Sequence, residues 1–142
     1  MKTDKPTTKI IAGKYKGKVL ELPSLEVTRS SKAMLKESLF NVLQFDIIDK
    51  IFIESFAGSG SIGLEAISRG AKRAYFIELD KNSYQILLRN CKSVDMEKCQ
   101  TVQGNTFVQT PLFIDFLKNS KDEIVLYVDP PFDYRDGMED IY

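Results

Sequence analysis

Ile51-Phe52-Ile53-Glu54-Ser55-Phe56-Ala57-Gly58-Ser59-Gly60-Ser61-Ile62-Gly63 reads as a buried strand that runs into a glycine turn and opens a helix. Ile51, Ile53 and Phe56 suit the inside of a sheet, while Gly58, Gly60 and Gly63 allow a tight turn, close approach of a ligand and close packing of helix on strand. Amides at the start of the following helix are expected to face an anionic group. Glycine-rich turns also occur without ligands, so the rest of the chain has to carry the reading.

The remainder supplies the alternation that such a turn needs. A second strand, Ala74–Ile77, ends in Glu78-Leu79-Asp80 and leads into a helix over Lys81–Val94. A short strand at Gln100–Gln103 reaches Gly104-Asn105-Thr106, and Phe107 to Leu117 suits a helix that Pro111 is expected to confine to its second half. Ile124–Val128 is a continuous apolar run ending in Asp129-Pro130-Pro131-Phe132. The pattern predicts an α/β fold, an open Rossmann-like sheet whose ligands lie beyond the carboxyl ends of its strands.

Upstream, Lys9 to Leu22 reads as two short strands about a basic turn, with Tyr15 between Lys14 and Lys16 as a stacking ring flanked by phosphate contacts. Residues 1–7 are polar and expected to fray. From Ser30 or Ser31 to about Phe45 a helix fits, with Met34, Leu35, Ser38, Leu39, Val42 and Leu43 on its apolar side and Arg29, Lys32 and Lys36 on a basic one. The expected division is residues 1–28, a basic tail and hairpin placed to touch a polyanion, and residues 29–142, the sheet domain.

Composition narrows the chemistry. With 142 residues and 43% hydrophobic content the chain can bury a core, and no apolar run reaches the roughly 20 residues that span a bilayer, which predicts a cytoplasmic protein with no membrane partner. There is no histidine, and Cys91 and Cys99 are the only cysteines, so zinc sites of the common type and Ser–His–Asp or Cys–His catalysis are excluded and no metal is expected. Both thiols read as reduced packing residues. The net charge is zero, yet residues 1–36 hold nine bases against three acids, an asymmetry that points to a polyanion touched from one side.

Glu78 follows Gly58 at the distance at which a carboxylate receives a ribose diol, a spacing shared by nicotinamide cofactors and S-adenosylmethionine. A diphosphate would be opposed by Glu54 and Glu65, whereas a sulfonium and an ammonium would be favoured by Glu54. Asp129 and the Pro130 carbonyl can accept hydrogen bonds from an exocyclic amine, and Phe132 can offer a flat face to its base.

Ile10–Lys18, Lys36-Glu37-Ser38-Leu39-Phe40-Asn41, Phe56–Gly60 with Gly63-Leu64-Glu65-Ala66, and Asp129–Phe132 together resemble the RsmD-type methyltransferases, over about residues 9 to 132. The resemblance implies a class I fold with an N-terminal β-hairpin and helix, S-adenosyl-L-methionine as cofactor, and methylation of a guanine N2 in 16S ribosomal RNA, within the small subunit or an assembly intermediate, by a monomer. It implies cofactor contacts at Glu54, Ala57, Gly58, Ser59, Gly60, Glu78 and Asn105, and a target-amine site at Asp129, Pro130, Pro131 and Phe132. That family usually has Asp where this chain has Glu54 and Asn105, and Pro, Asp and Arg where it has Ser30, Ala33 and Met34. It also continues for about three more strands past its Asp-Pro-Pro-Phe, so the expectation is a fragment whose C-terminal strands are missing, with weak or no methyl transfer on its own.

Three other functions fit parts of the pattern: an adenine-N6 DNA methyltransferase, a nicotinamide-dependent oxidoreductase, and a non-catalytic RNA-binding module.

Overall fold

The run before the glycine turn forms an inner strand of a parallel sheet. The computed structural model describes residues 6–23 and 32–130. Strands β1 (Thr7–Lys9) and β2 (Val19–Glu21) pair antiparallel, with Thr8 opposite Leu20. Helix α1 (Lys32–Leu43) passes through a 3-10 turn into β3 (Ile51–Glu54), then α2 (Ser61–Ser68), β4 (Arg73–Glu78), α3 (Lys81–Val94), β5 (Cys99–Gln103), α4 (Thr106–Leu117) and β6 (Ile124–Tyr127). The sheet order is β5-β4-β3-β6, all parallel, with Glu54 level with both Phe76 and Tyr127 and Glu78 level with Gln103.

Alternation along the strands sorts the core into two layers. Phe52, Ala74 and Phe76 turn to the face covered by the hairpin, α1, α2 and α3, where Ile10, Leu20, Phe40, Ile62 and Leu87 join them. Ile51, Ile53, Tyr75 and Ile77 turn to the other face, against Phe113 and Leu117 of α4. Each of these large side chains contributes roughly 1.5–3 kcal/mol by leaving water. Every residue of α2 is buried, so this helix is a pillar of the core with no solvent stripe. Among the described residues β5 and β6 are the outer strands, and Leu126 and Val128 stand about half exposed at the β6 edge.

Four local expectations change. Thr7 belongs to β1 and is not frayed; residues 1–5 lie outside the described residues. The apolar side expected for α1 is rotated: Met34, Leu35 and Val42 are exposed, while Lys36 and Phe40 are buried and Ile47 continues their row. Lys36 can be there because its ammonium donates to the Lys9 carbonyl at 3.2 Å and lies 3.6 Å from a Glu65 carboxylate oxygen. It is therefore not part of a basic face, and Arg29 lies outside the described residues. Pro111 does not shorten α4, which starts at Thr106 under an Asn105 cap; Pro111 is on the exposed side, where water can serve the Phe107 carbonyl that its missing N–H leaves open.

The hairpin is fastened by the same carboxylate. Glu65, fully buried, accepts from the amides of Ile11 (2.9 Å) and Ala12 (3.1 Å) and from Arg69 Nε (2.7 Å). Gly13, at φ +95°, presses so closely on the end of α2 that a Cβ would lie 2.0 Å from the Ser68 carbonyl oxygen. Tyr15 is half-buried against the main core and its hydroxyl donates to Asp95 at 3.0 Å. It is a packing residue with Lys14 over its ring, not a free stacking platform.

Candidate cofactor and active site

The turn after β3 is held from both sides. Gly58 (φ +55°) and Gly60 (φ +82°) adopt the left-handed backbone that a side chain would strain. The Ala57 amide donates to the Ile77 carbonyl at 2.9 Å, stitching the turn to the end of β4, and the Gly60 amide closes on the Ala57 carbonyl at 2.8 Å. Gly63 has a different reason to be glycine: a Cβ there would meet Phe76 Cε1 at 2.3 Å.

Two carboxylates take the amides of this turn. Glu78 Oε1 accepts from Gly58 N–H at 2.7 Å and its Oε2 from Asp80 N–H at 2.9 Å. Glu54, 1% exposed, accepts from Gly63 N–H at 2.8 Å through Oε1. Ser59 Oγ, also buried, accepts from Ser61 N–H at 3.3 Å. The expectation of open amides awaiting an anion is thus corrected for Gly58, Ser61 and Gly63, whose hydrogens are already given to side chains. A diphosphate laid on this turn would meet two carboxylates already bonded to its donors, and neither the stretch from Ile51 to Gly63 nor Glu78-Leu79-Asp80 contains a Lys or Arg. The arrangement suits a cationic ligand that also presents hydroxyls to Glu78.

The parallel strands bring the other expected residues to the same rim. Asn105 follows β5 by two residues, is exposed, and caps α4 by accepting from Phe107 N–H at 2.8 Å. Asp129 and Pro130, both half-buried, follow β6 just beyond Tyr127, whose carbonyl receives the Ser55 amide at 3.0 Å. Asp129 therefore stands beside the start of the glycine turn on the flank opposite Glu78. Pro131 and Phe132 lie outside the described residues.

Other residues of this rim escaped the sequence reading. Leu79 and Phe107 are exposed apolar side chains next to Glu78 and Asn105, and Phe107 meets Phe56 edge-on with ring centres 6.0 Å apart. An apolar residue between Glu78 and Asp80 was the available signal. Ser55, Thr110 and Thr106 form a chain of hydroxyls with successive oxygens 2.9 Å apart. Asn90 of α3, 3% exposed, donates to the Ser59 carbonyl at 2.8 Å; its place three residues after Leu87 put it on the buried face. Among the described residues no group of acidic residues and cysteines could hold a metal ion, and no helix is long and apolar enough to cross a membrane.

Known proteins share both sequence and architecture with this chain. It is 38% identical over 134 residues to the ribosomal RNA small subunit methyltransferase D of Haemophilus influenzae, covering 92% of this chain and 67% of that protein. Its identity to the protein of the same name in Escherichia coli strain K12 is 34% over 125 residues, 87% of this chain and 60% of the relative. This chain thus spans about two thirds of the length of these relatives. It superposes on the solved structure of the methyltransferase-like protein yhhF from Escherichia coli with a TM-score of 0.71 at 33% identity, over 89% of this chain and 65% of that one. The sheet with its glycine turn is accordingly the class I methyltransferase fold. With the family model described as conserved hypothetical protein 95 matching residues 8–142, the chain belongs to that family, the RsmD family of methyltransferases.

Proposed function

We propose that this chain carries the catalytic sheet of an S-adenosylmethionine-dependent methyltransferase that modifies the exocyclic N2 amine of a guanine in small-subunit (16S) ribosomal RNA. The observation that carries the reading is the convergence of the Gly58 turn, Glu78 and Asp129 on one rim of a parallel sheet. The relatives' names supply the substrate class.

When bound, S-adenosylmethionine supplies an electrophilic methyl on a sulfonium. Glu78 would accept the ribose hydroxyls, exchanging its bond with Gly58 for them, and the freed Gly58 amide joins Ala57, Ser59 and Gly60 in lining the methionine end. Glu54, bonded to the Gly63 amide beneath the turn, would favour the cationic end of the donor. The exposed Leu79 and Phe107 would offer the adenine apolar contacts, and Asn105 a polar one. On the other flank Asp129 and the Pro130 carbonyl would accept hydrogen bonds from the guanine amine and hold its nitrogen toward the donor, and Asp129 would take the proton given up as that amine exchanges hydrogen for methyl and S-adenosylhomocysteine leaves. Phe132, outside the described residues, would be the stacking ring for the target base in this reading.

The basic segment 1–28 is the RNA contact in this reading and residues 29–142 the methyltransferase domain, working as a cytoplasmic monomer on the small subunit or its assembly intermediate. Calorimetry with S-adenosylhomocysteine and with NADH tests the cofactor. Labelled methyl transfer to small subunits from a deletion strain, followed by mapping of the modified base, tests the substrate. Binding of NADH without S-adenosylhomocysteine would overturn the proposal, and label on an adenine N6 in DNA would replace the substrate.

A further inference from the structure

One side chain joins the hairpin to the glycine turn. Asn90 Oδ1 accepts from the Glu21 amide at 3.0 Å, and its Nδ2 donates to the Glu21 carbonyl at 2.9 Å and to the Ser59 carbonyl at 2.8 Å. A carboxamide has two N–H hydrogens, so both are committed, one to each segment. On β2, Glu21 presents its backbone groups to α3 while the neighbouring Leu22 amide bonds across the hairpin to the Pro6 carbonyl at 3.0 Å.

The turn end of this bridge matters because of what flanks it. Ser59 stands between Gly58 and Gly60, whose backbones rotate more freely than any other residue's. The peptide that carries the Ser59 carbonyl is held within the turn by the Gly60 amide's bond to the Ala57 carbonyl and from outside it by the Asn90 bond to the Ser59 carbonyl. A displacement of β2 is passed through a planar, fully bonded amide to the peptide that lines the candidate cofactor site.

We propose that Asn90 is a positioning residue that couples the two ligands, so that RNA held on the hairpin side and the methyl donor held on the turn raise each other's affinity. This rests on the functional reading above. Coupling of this kind is reciprocal and typically worth 5- to 150-fold in affinity. The surface pair between Arg89 and Glu21, at 3.0 and 3.1 Å, ties the same strand to the same helix without touching the turn, which provides a control.

Calorimetric titration of the full chain with S-adenosylhomocysteine, with and without small ribosomal subunits from a deletion strain, reads the coupling as a ratio of dissociation constants. The expected ratio is about 10-fold for the unaltered protein, within about 2-fold of unity for Asn90→Ala, and undiminished for Glu21→Ala, which keeps all three Asn90 bonds. If Asn90→Ala does not melt cooperatively, Glu21→Pro removes one of the two hairpin bonds and leaves the Asn90 bond to the residue-21 carbonyl, so the ratio is expected to fall part of the way to unity, and a ratio that stays at its full value overturns the coupling. An unaltered protein that binds both ligands with a ratio of one, or an Asn90→Ala protein that keeps the full ratio, overturns the coupling and leaves the methyltransferase reading standing. Failure to bind S-adenosylhomocysteine at all overturns both.

Discussion

The Glu78 carboxylate closes on the Gly58 amide at 2.7 Å, so the end of β4 and the turn after β3 form one hydrogen-bonded unit before any ligand is considered. If ribose hydroxyls take the place of that amide, removing the carboxylate removes charge-assisted bonds worth roughly 1.5–3 kcal/mol. Glu78→Ala is expected to weaken S-adenosylhomocysteine binding by about 10- to 100-fold in calorimetry, with a smaller loss for Glu78→Gln, which keeps an acceptor. Unchanged affinity in both variants would remove Glu78 from the site.

Gly63 is predicted to tolerate no methyl group. An added Cβ would lie 2.3 and 2.7 Å from Phe76 Cε1 and Cζ and 3.2 Å from Glu54 Oε1, and Phe76 is fully buried. Overpacking of this sort costs about 1–3 kcal/mol, so Gly63→Ala should lower Tm by on the order of 5–10 °C. Gly17→Ala makes the comparison: nothing lies within 4 Å, and its cost is the left-handed backbone alone, about 1 kcal/mol.

Glu65 should prove to hold the hairpin down. It is fully buried and bonded to two hairpin amides, to Arg69 and, at 3.6 Å, to Lys36, which makes Glu65→Gln the removal of one partner from a buried ionic cluster. Such losses run to about 3–5 kcal/mol. Faster tryptic cleavage at the exposed Lys14, Lys16 and Lys18 is expected, preceding cleavage of the sheet. Cleavage at an unchanged rate in this variant would show that the other ties, among them Ile10, Leu20, the Tyr15–Asp95 bond and the Asn90 bonds, anchor the hairpin without Glu65.

The same cluster shows where reading the sequence reaches its limit. Strands, the glycine turn and helix α3 were legible because apolar runs of four to six residues and a helical period announce themselves locally. Lys36 was not: nothing in its own neighbourhood says that a carboxylate from α2 waits across the core, so it reads as a solvated base, and the expected apolar face of α1 holds for Leu39 and Leu43 but not for Met34, Leu35 and Val42. Tyr15 fails for the same reason, since its partner Asp95 is 80 positions away. At the site, acids near a glycine turn were legible, but their engagement of the turn's amides depends on the register Glu54 to Phe76 that only the folded sheet sets.

The buried Cys91 thiol predicts a loss of stability in alkali. Hydrogen bonding with Cys99, and then burial, push the Cys91 thiol up from its ordinary range, and both cysteines are free and buried. Above about pH 8.5 the unfolded chain loses the thiol proton while the folded chain keeps it, so the unfolded state binds fewer protons and stability falls as pH rises. The urea midpoint should drop between pH 7 and 9.5, and Cys91→Ala should flatten that drop. An equally steep fall in the variant would place the titrating group elsewhere.

Asp129 separates binding from chemistry. It stands at the end of β6, across β3 from the Glu78 side of the rim, so in the proposed mechanism it touches the target amine and leaves the donor to the turn. Asp129→Asn preserves size and one acceptor oxygen but turns the other position into a donor, which faces the amine's own hydrogens and cannot take up its proton. The expected result is S-adenosylhomocysteine affinity within about 2-fold of the unaltered protein and methyl transfer lowered by about 10²- to 10⁴-fold, the range typical of a lost acid–base group. The comparison is made in whichever form of the protein, this chain or a longer one, gives measurable transfer. A variant that loses cofactor binding in step with activity would assign Asp129 to the donor side, and one that keeps its rate would move the amine site off β6.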